Sequence, residues 1–344
     1  MTLKPSTCGA TNQIFWFKAM PNGGIAYNPL YYKFYYLNQE QAKKFLASHK
    51  CKIVKPKVPN PFWLCFFDLS YKCNLKCVHC HNDYGKVNEL TFDEKINVIK
   101  QILDLGVLHV SFGGGEPTLY PHLIKVLKYA SKGATCSFVT NGCFINERLC
   151  KRLKNLVSYV GVSLDGFRET HAKMRRADVF DKTVNAIKLL LKHGIPVRVT
   201  STPTKINYKE LPEVGKFVIN KLKATWKLMV YIPEGGRADE LCLSDEEEKW
   251  LYDQVSKLGK EKTDYYFCIP CPAGKSIFSI YANGDVSPCG FSPHLISGNV
   301  LEKPLIDILR YGTFFRVLRT VKSEKCISTN YWRGSNEFDF EIPM

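Results

Sequence analysis

Three cysteines, Cys73, Cys77 and Cys80, lie within eight residues of one another. Their spacing is Cys-x3-Cys-x2-Cys, and three thiolates alone do not complete a tetrahedral structural zinc site. Three thiolates can instead hold three of the four irons of a cubane iron–sulfur cluster. The fourth iron is then open to a substrate or cofactor. The alternative is a zinc site that His79 or His81 completes.

A second group of cysteines stands near the end of the chain, in a segment rich in Cys, Pro and Gly. Its members are Cys268, Cys271, Cys289 and Cys326. Four thiolates complete either one fully ligated [4Fe–4S] cluster or one structural zinc site, and the spacing does not distinguish the two. A fully ligated cluster has no open iron and suits electron transfer. If Cys268 is not a ligand, one iron of such a cluster is open.

A glycine-rich segment, Phe112-Gly-Gly-Gly-Glu116-Pro117, lies about forty residues after the first cysteines. Gly114 and Gly115 allow the backbone to approach a ligand closely, and the carboxylate of Glu116 can pair with an ammonium group. A glycine run without further context is more typical of a turn. The segment therefore becomes a candidate binding site only if it lies beside the cysteines.

Two further polar segments follow, Thr140-Asn141-Gly142 and Ser163-Leu-Asp165-Gly166. Asn141 and Ser163 are candidate ligand contacts, and Arg175 follows twelve residues after Ser163. Ser163 and Asp165 are equally suited to helix capping and turn formation. Arg175 has the alternative of a solvated surface charge, with its neighbour Arg176 as the other candidate for the contact.

The elements that position these residues alternate between strands and helices over residues 61–235. Strands are predicted at 63–69, 108–112, 135–139, 159–163, 196–201 and 226–231, and helices at 92–105, 121–132, 146–156, 180–193 and 208–221, with a further helix at 244–258 after a loop. Six such units predict a parallel sheet with right-handed crossovers, closed only in part because a full barrel needs eight. We therefore predict a partial (β/α)6 barrel whose functional residues follow the carboxyl ends of the strands. Gly106, Gly133 and Gly194 are predicted as left-handed helix C-caps.

Two flanking regions complete the chain of 344 residues. Residues 1–60 predict a basic, β-rich segment with a hairpin, a third strand and a helix at 39–48. Residues 236–344 predict a cysteine-rich appendage with a short strand from Ser276 to Tyr281. No run of apolar residues approaches the length of a membrane helix. With no secretory signal and many cysteines outside a disulfide pattern, the sequence predicts a cytoplasmic, metal-binding protein.

The cysteine spacing resembles the signature of the radical S-adenosylmethionine (SAM) enzymes, which also place an aromatic residue or His before the last cysteine, as His79 is here. The resemblance extends over about residues 62–235. It implies that the segment ending at Glu116 meets the amino group of the methionine part of SAM. Thr140-Asn141-Gly142 also matches a triplet common in the family. The resemblance further implies that Ser163 and Arg175 contact the bound SAM.

The tail resembles the auxiliary-cluster region called SPASM, in which a β-hairpin turn, here Asn283-Gly284, separates two cluster ligands. A full SPASM domain has a dense run of cysteines after this point and binds two further clusters. This chain has only Cys326 beyond Cys289, so it looks like the truncated form called Twitch. The resemblance implies one auxiliary [4Fe–4S] cluster, with a four-cysteine zinc site as the alternative.

Radical SAM enzymes reduce SAM to methionine and a 5′-deoxyadenosyl radical, which abstracts a hydrogen atom from the substrate. The resemblance therefore implies an oxidoreductase or maturase that uses an electron donor such as ferredoxin or flavodoxin. An acidic peptide or protein substrate would suit the basic residues 1–60, which contain nine lysines and one glutamate. The alternatives are a small metabolite or cofactor precursor, such as a tetrapyrrole or aminocyclitol, and a non-catalytic zinc module. Despite the net charge of +16, no stripe of arginines and aromatics indicates nucleic acid binding.

Overall fold

The computed structural model describes residues 14–29, 33–80, 88–233, 239–259, 263–265 and 271–320. Cys268, Cys326, His81 and residues 234–238 lie outside these ranges. Within them the chain forms a four-stranded sheet followed by a ten-stranded sheet. No helix among the described residues is long and apolar enough to cross a membrane.

The N-terminal sheet has the strand order β3-β2-β1-β4. Its elements are β1 (Phe15–Met20), β2 (Gly23–Asn28), β3 (Lys33–Asn38), α1 (Gln39–Ser48) and β4 (Cys51–Val54). The hairpin, third strand and helix agree with the sequence prediction, whereas β4 was not predicted and pairs parallel to β1. Helix α1 begins with a capping box between Asn38 and Gln41.

The central sheet contains six parallel strands in sequence order. They are β5 (Leu64–Asp68), β6 (His109–Gly113), β7 (Thr135–Thr140), β8 (Tyr159–Ser163), β9 (Val197–Ser201) and β10 (Thr225–Leu228). The edges are extended by other strands instead of joining each other: β11 (Thr263–Tyr265) pairs with β10, and β12 (Ile277–Ile280) pairs with β5. The prediction of a partial barrel is therefore confirmed.

Helices connect these strands and cover the outer face of the sheet. They are α2 (Phe92–Asp104), α3 (Leu123–Ala130), α4 (Glu147–Leu153), α5 (Arg168–Arg175), α6 (Phe180–Lys192), α7 (Leu211–Lys216) and α8 (Asp245–Ser256). Helix α7 continues as a π-helical turn, Phe217–Lys221, and two 3-10 turns occur at Pro117–Leu119 and Asp239–Leu241. Helix α5 was not predicted. Helix α2 begins with a capping box between Thr91 and Glu94.

The three glycines predicted as left-handed C-caps do not all behave alike. Gly106 and Gly194 have φ angles of 63° and 71°, as predicted. Gly133 is not among the residues with positive φ, so this prediction is wrong. Its helix already ends at Ser131 in a right-handed conformation, and Gly133 packs against the side chain of Leu103.

The C-terminal segment continues the central sheet. Strand β12 is followed by β13 (Asp285–Ser287) and β14 (Gly298–Asn299), which pair antiparallel, and then by α9 (Leu305–Tyr311) and α10 (Thr313–Thr320). Because β12 lies beside β5, the described part of the tail is attached to the strand that precedes Cys73. Helices α9 and α10 are separated at Gly312.

Side chains alternate along the central strands, as a pleated sheet requires. On β6, β7 and β8 the hydrophobic core beneath the helices contains Val110, Phe112, Phe138, Val160 and Val162. The alternate positions on the same strands face the inside of the partial barrel and are mostly small or polar: His109, Ser111, Gly113, Thr135, Ser137, Val139, Tyr159, Gly161 and Ser163. This leaves a polar interior in the barrel.

Candidate functional site at the carboxyl end of the barrel

The three cysteines lie on the loop after β5, at the carboxyl end of the barrel, and are partly buried. The Cys73 sulfur accepts a hydrogen bond from the backbone N–H of Leu75, at 3.4 Å. The backbone N–H of Val78 donates to the carbonyl of Met174 on α5, at 2.9 Å. The cysteine loop is thus anchored to α5, which follows the fourth strand of the barrel.

The glycine segment lies directly against the start of the cysteine loop. The N–H of Gly115 donates to the carbonyl of Ser70 at 2.7 Å, and the N–H of Glu116 donates to that of Lys72 at 2.8 Å. A Cβ atom on Gly115 would lie 2.6 Å from the carbonyl carbon of Lys72, too close for any side chain. Gly114 has a φ of 107°. Both glycines are therefore needed for the backbone approach of these two loops.

The carboxylate of Glu116 is buried and accepts hydrogen bonds from the chain itself. One oxygen accepts from the hydroxyls of Thr118 and Thr140, at 2.5 and 2.6 Å, and from the Thr118 N–H at 3.1 Å. The other accepts from the N–H of Asn141 at 2.8 Å. Glu116 therefore ties the loop after β6 to the loop after β7.

Asn141 extends this arrangement to the cysteine loop. Its side-chain NH2 donates to the Asn74 carbonyl oxygen at 2.8 Å, and its own side-chain oxygen accepts from the N–H of Cys143 at 2.9 Å. Asn74 stands between the first two cysteines of the signature. We call Glu116, Thr140, Asn141 and Asn74 the loop clamp, because together they link the loops after β5, β6 and β7.

Asp165 and Arg175 form a buried ion pair on the other side of the cysteine loop. The Nη2 atom of Arg175 lies 2.5 Å from Oδ2 of Asp165, and the two side chains are 9% and 0% exposed. The Nη1 atom of Arg175 donates to the sulfur of Cys77 at 3.5 Å. Ser163 ends strand β8, two residues before Asp165, and its side chain is partly buried.

Burial and charge shift the pKa values of these groups in different directions. Burial raises the pKa of the Cys73 and Cys77 thiols, although Arg175 opposes the shift at Cys77. Burial would also raise the pKa of Asp165, but the charge of Arg175 and further contributions from His79, His171 and the Thr202 N–H outweigh it and lower the pKa. Asp165 is therefore ionised, and Arg175 keeps its charge in a buried setting.

Comparison with known proteins agrees with this geometry. Residues 68–218 match the family model of the radical SAM superfamily, and residues 271–329 match that of an iron–sulfur cluster-binding domain, SPASM. Mycofactocin maturase MftC of Mycobacterium ulcerans is 30% identical over 285 residues, which cover 75% of this chain and 77% of the maturase. The chain belongs to the radical SAM superfamily.

Two further proteins are similar to this radical SAM chain, one in sequence and one in fold. Fe-coproporphyrin III synthase of Methanosarcina barkeri is 33% identical over 220 residues, 62% of this chain; the chain spans only about half of that relative, 54%. Streptococcus suis SuiB bound to S-adenosylmethionine shares the fold, with a TM-score of 0.71, 17% identity and 89% coverage of each chain. The predicted cofactors, SAM and [4Fe–4S] clusters, agree with these matches.

The donor set at the barrel end fits a SAM-bound cluster. Three thiols are available on one loop, and each corner of a cubane takes a single thiolate. The Nε atom of Arg175 is buried and has no hydrogen-bond partner, so it can still serve a bound anionic group. Gly114 and Gly115 provide backbone without side chains beside the same loop. No three His, Cys, Asp or Glu side chains in the described ranges converge on a single metal ion.

The second cysteine group is only partly described. Cys271 and Cys289 are buried together with Ala273 and Leu318 in a small hydrophobic cluster. The predicted turn is present, with Gly284 at a φ of 94° and its N–H donating to the Tyr281 carbonyl at 2.9 Å. Because Cys268 and Cys326 lie outside the described residues, the full ligand set stays a prediction.

The sequence pattern does not predict the role of every residue in this site. Capping or turn formation is one alternative for Asp165 in the sequence, but its carboxylate contacts Arg175. Asn74 and Thr140 were not candidates, and the only available signal was their position inside the motifs. Direct contacts of Glu116, Asn141, Ser163 and Arg175 with SAM stay predictions.

Proposed function

We propose that the chain is a radical SAM maturase that oxidises or cross-links a side chain of a peptide or protein. In this proposal Cys73, Cys77 and Cys80 hold the SAM-binding cluster. The observation that carries it is the meeting of three loops at one end of the barrel, where thiols, side-chain-free backbone and a buried guanidinium lie together. The region from 61 to 235 would be the catalytic unit.

When bound, the cluster and SAM supply a 5′-deoxyadenosyl radical, which abstracts a hydrogen atom from the substrate. The chain's task is to hold both reactants in contact and to exclude water from them. The opposite end of the barrel is covered by the N-terminal sheet, through a cluster that includes Tyr27, Trp63, Leu64 and Leu108. Access from this end is thereby restricted, which suits a radical reaction.

The N-terminal sheet supports a peptide substrate. Strand β3 pairs only with β2 among the described strands, so its outer edge can accept an additional strand. Nearby lysines, such as Lys33 on β3 and Lys43 on α1, give this region a positive charge that suits an acidic peptide, whereas Lys44 is paired with Glu40. The similarity to a maturase and the fold shared with SuiB, which has been solved bound to its precursor peptide SuiA, favour the same substrate class.

A tetrapyrrole is the second candidate substrate. It is favoured by the 33% identity to Fe-coproporphyrin III synthase, over 62% of this chain and 54% of the synthase. The polar interior of the barrel, with Ser111 and Ser137 on adjacent strands, is compatible with either substrate class.

Residues 236–344 would then hold one auxiliary cluster on Cys268, Cys271, Cys289 and Cys326, for transfer of the substrate electron. Cys271 and Cys289 already lie in one hydrophobic cluster, which supports their use as a pair of ligands. A ferredoxin or flavodoxin would supply the reducing electron, and the reaction would take place in the cytoplasm.

The test is anaerobic reconstitution of the wild-type chain and of a variant with Cys73, Cys77 and Cys80 changed to Ala. The wild type should bind about eight irons and eight sulfides and form 5′-deoxyadenosine from SAM after reduction. The variant should keep about half of the iron and form none. Retained 5′-deoxyadenosine formation, or two zinc ions instead of iron, would contradict the proposal. Stimulation of 5′-deoxyadenosine formation by an iron tetrapyrrole that still carries the groups to be removed, but not by precursor peptides, would favour the second candidate.

A further inference from the structure

Arg175 is held beside the cysteine loop by the backbone at the end of helix α5. It is the last residue of α5, and the next residue, Arg176, ends the helix in a left-handed conformation with φ 52°. The preceding carbonyl, of Met174, accepts the N–H of Val78 in the cysteine loop. The end of α5 is therefore fixed to the backbone next to Cys77, and Arg175 emerges beside that cysteine.

Asp165 orients the guanidinium. Its Oδ2 atom is 2.5 Å from Nη2 of Arg175, and its Oδ1 atom accepts the N–H of Thr202 at 2.8 Å. Asn207 donates to the backbone carbonyl of Asp165 at 2.8 Å, and His171 accepts the backbone N–H of Asp165 at 3.1 Å. With the carboxylate held on one side, the other terminal nitrogen of Arg175 is directed at Cys77.

We infer that Asp165 and Arg175 form a pair that sets the reduction potential of the cluster, by directing an N–H donor at the sulfur of Cys77. This inference rests on the proposed function, in which Cys77 is a cluster ligand. Hydrogen bonds to cluster sulfurs are one of the means by which proteins set these potentials. A donor at the sulfur stabilises the more negative, reduced cluster and makes reduction easier.

The effect does not depend on net charge, because the pair contains one positive and one negative group. Nη1 of Arg175 is 3.5 Å from the sulfur of Cys77, whereas the carboxylate of Asp165 contacts Nη2 and is held by the N–H of Thr202. What acts on the sulfur is therefore an oriented donor and a dipole in a buried environment, where electrostatic interactions are stronger than in water.

Three variants test whether the Asp165–Arg175 pair sets the reduction potential of the cluster. Arg175→Met combined with Asp165→Asn removes both charges of the pair, leaves the net charge unchanged and commonly preserves folding, since both partners of the buried pair are replaced. Arg175→Met alone leaves Asp165 without its counter-charge. Arg176→Met is the matched control, because it removes an exposed cation one residue away.

The midpoint potential of the first cluster is measured by redox titration followed by electron paramagnetic resonance, without SAM. The double variant should have a lower potential, with at least a tenfold smaller reduced-to-oxidised ratio at a fixed ambient potential, or 59 mV for one electron. Arg175→Met should be lower still, and Arg176→Met should match the wild type. Equal potentials in the double variant and the wild type, with full iron content in both, would overturn the inference.

A measurement on the wild type avoids any dependence on variant folding. With arginine labelled with ¹⁵N at the guanidino nitrogens, pulsed electron paramagnetic resonance of the reduced cluster should show a ¹⁵N coupling. That coupling should persist in Arg176→Met. Its absence in a wild-type protein that binds iron and cleaves SAM would refute the contact with Cys77 while leaving the proposed function intact. Lack of iron binding would instead refute the proposed function.

Discussion

At the scale of single residues, the carboxylate of Glu116 has a structural role, because it accepts hydrogen bonds from neighbouring loops of the chain itself. Within the described part of the chain, its side-chain hydrogen bonds come from Thr118, Thr140 and Asn141, on two different loops. A carboxylate accepts this many donors more readily than any neutral side chain of similar size. The loop clamp therefore explains why a glutamate is suited to this position even where its oxygens do not touch SAM.

Glu116→Gln tests the clamp. An amide offers only one oxygen, so its NH2 group would face the N–H of Asn141 or the donors of Thr118, at a cost of about 1–3 kcal/mol. SAM affinity, measured by equilibrium binding to the reconstituted protein, should fall about ten- to hundredfold. Direct contact with SAM would give the same result.

Thr140→Val is the matched variant that distinguishes these explanations, because Thr140 is almost fully buried and donates to Glu116. If the clamp matters, Thr140→Val should also weaken SAM binding, by a smaller factor and with the iron content unchanged. Wild-type affinity in Thr140→Val together with weak binding in Glu116→Gln would assign Glu116 to direct contact.

At the scale of elements, the strands and helices of the barrel could be predicted because each has its own signal. Helix α2 has a capping box and a buried face with Val98, Ile99 and Ile102. Strand β7 alternates buried Cys136 and Phe138 with Thr135 and Ser137. Helix α5 has no such signal: it is eight residues long and strongly polar, and its N-cap residue, Phe167, makes no side-chain capping bond. The pairing of Asp165 with Arg175 depends on α5 and therefore could not be predicted from the sequence.

Gly115→Ala should separate the two loops that meet at the cysteine motif. Its methyl group would overlap the carbonyls of Tyr71 and Lys72, and neither can move without breaking the backbone hydrogen bonds between the loops. We expect about 1–3 kcal/mol of lost stability and reduced iron at the first cluster. Urea unfolding and iron analysis measure both.

Gly133→Ala is the control for this substitution. Its added Cβ would meet the end of the Leu103 side chain at 3.2 Å, which can move aside. It should retain the stability and iron content of the wild type within about 0.5 kcal/mol. Equal behaviour of Gly115→Ala and Gly133→Ala would mean that the loops tolerate a wider spacing.

At the scale of the whole molecule, the N-terminal sheet is attached to the barrel by buried polar as well as apolar contacts. Lys18 on β1 is fully buried, and its Nζ atom donates to the carbonyls of Phe62 and Leu105 at 2.5 and 2.9 Å and to the side chain of Asn60 at 2.9 Å. The carbonyl of Leu105 belongs to the C-terminal end of α2, where a positive charge is favourable. Sequence alone could not pair this lysine with three oxygens from two other segments.

His109 lies where the sheet meets the barrel, and it makes the molecule sensitive to acid. Its ring nitrogens lie 2.7 and 2.8 Å from the hydroxyls of Thr135 and Ser137, and its ring stacks on Tyr159 and contacts Tyr27 of the N-terminal sheet. Burial, with a smaller contribution from Arg198, lowers the pKa of His109 to about 3. The folded protein therefore needs this histidine neutral.

Because the pKa of His109 is lower in the folded state than its usual value of about 6.5, the unfolded chain binds the proton first as the pH falls. The stability that depends on neutral His109 is complete above pH 6.5 and is lost progressively toward pH 3. Between pH 7.5 and 5.5 the loss should be about 1.4 kcal/mol. The variant His109→Gln can still hydrogen-bond to Thr135 and Ser137 but does not titrate. Its free energy of unfolding in urea should therefore fall by about 1.4 kcal/mol less than that of the wild type over this range.

The difference between the two proteins cancels the contribution of other titrating groups, such as His171, and of cluster loss. Parallel pH profiles for the wild type and His109→Gln would show that the histidine is already charged, or free to leave its site, in the folded protein.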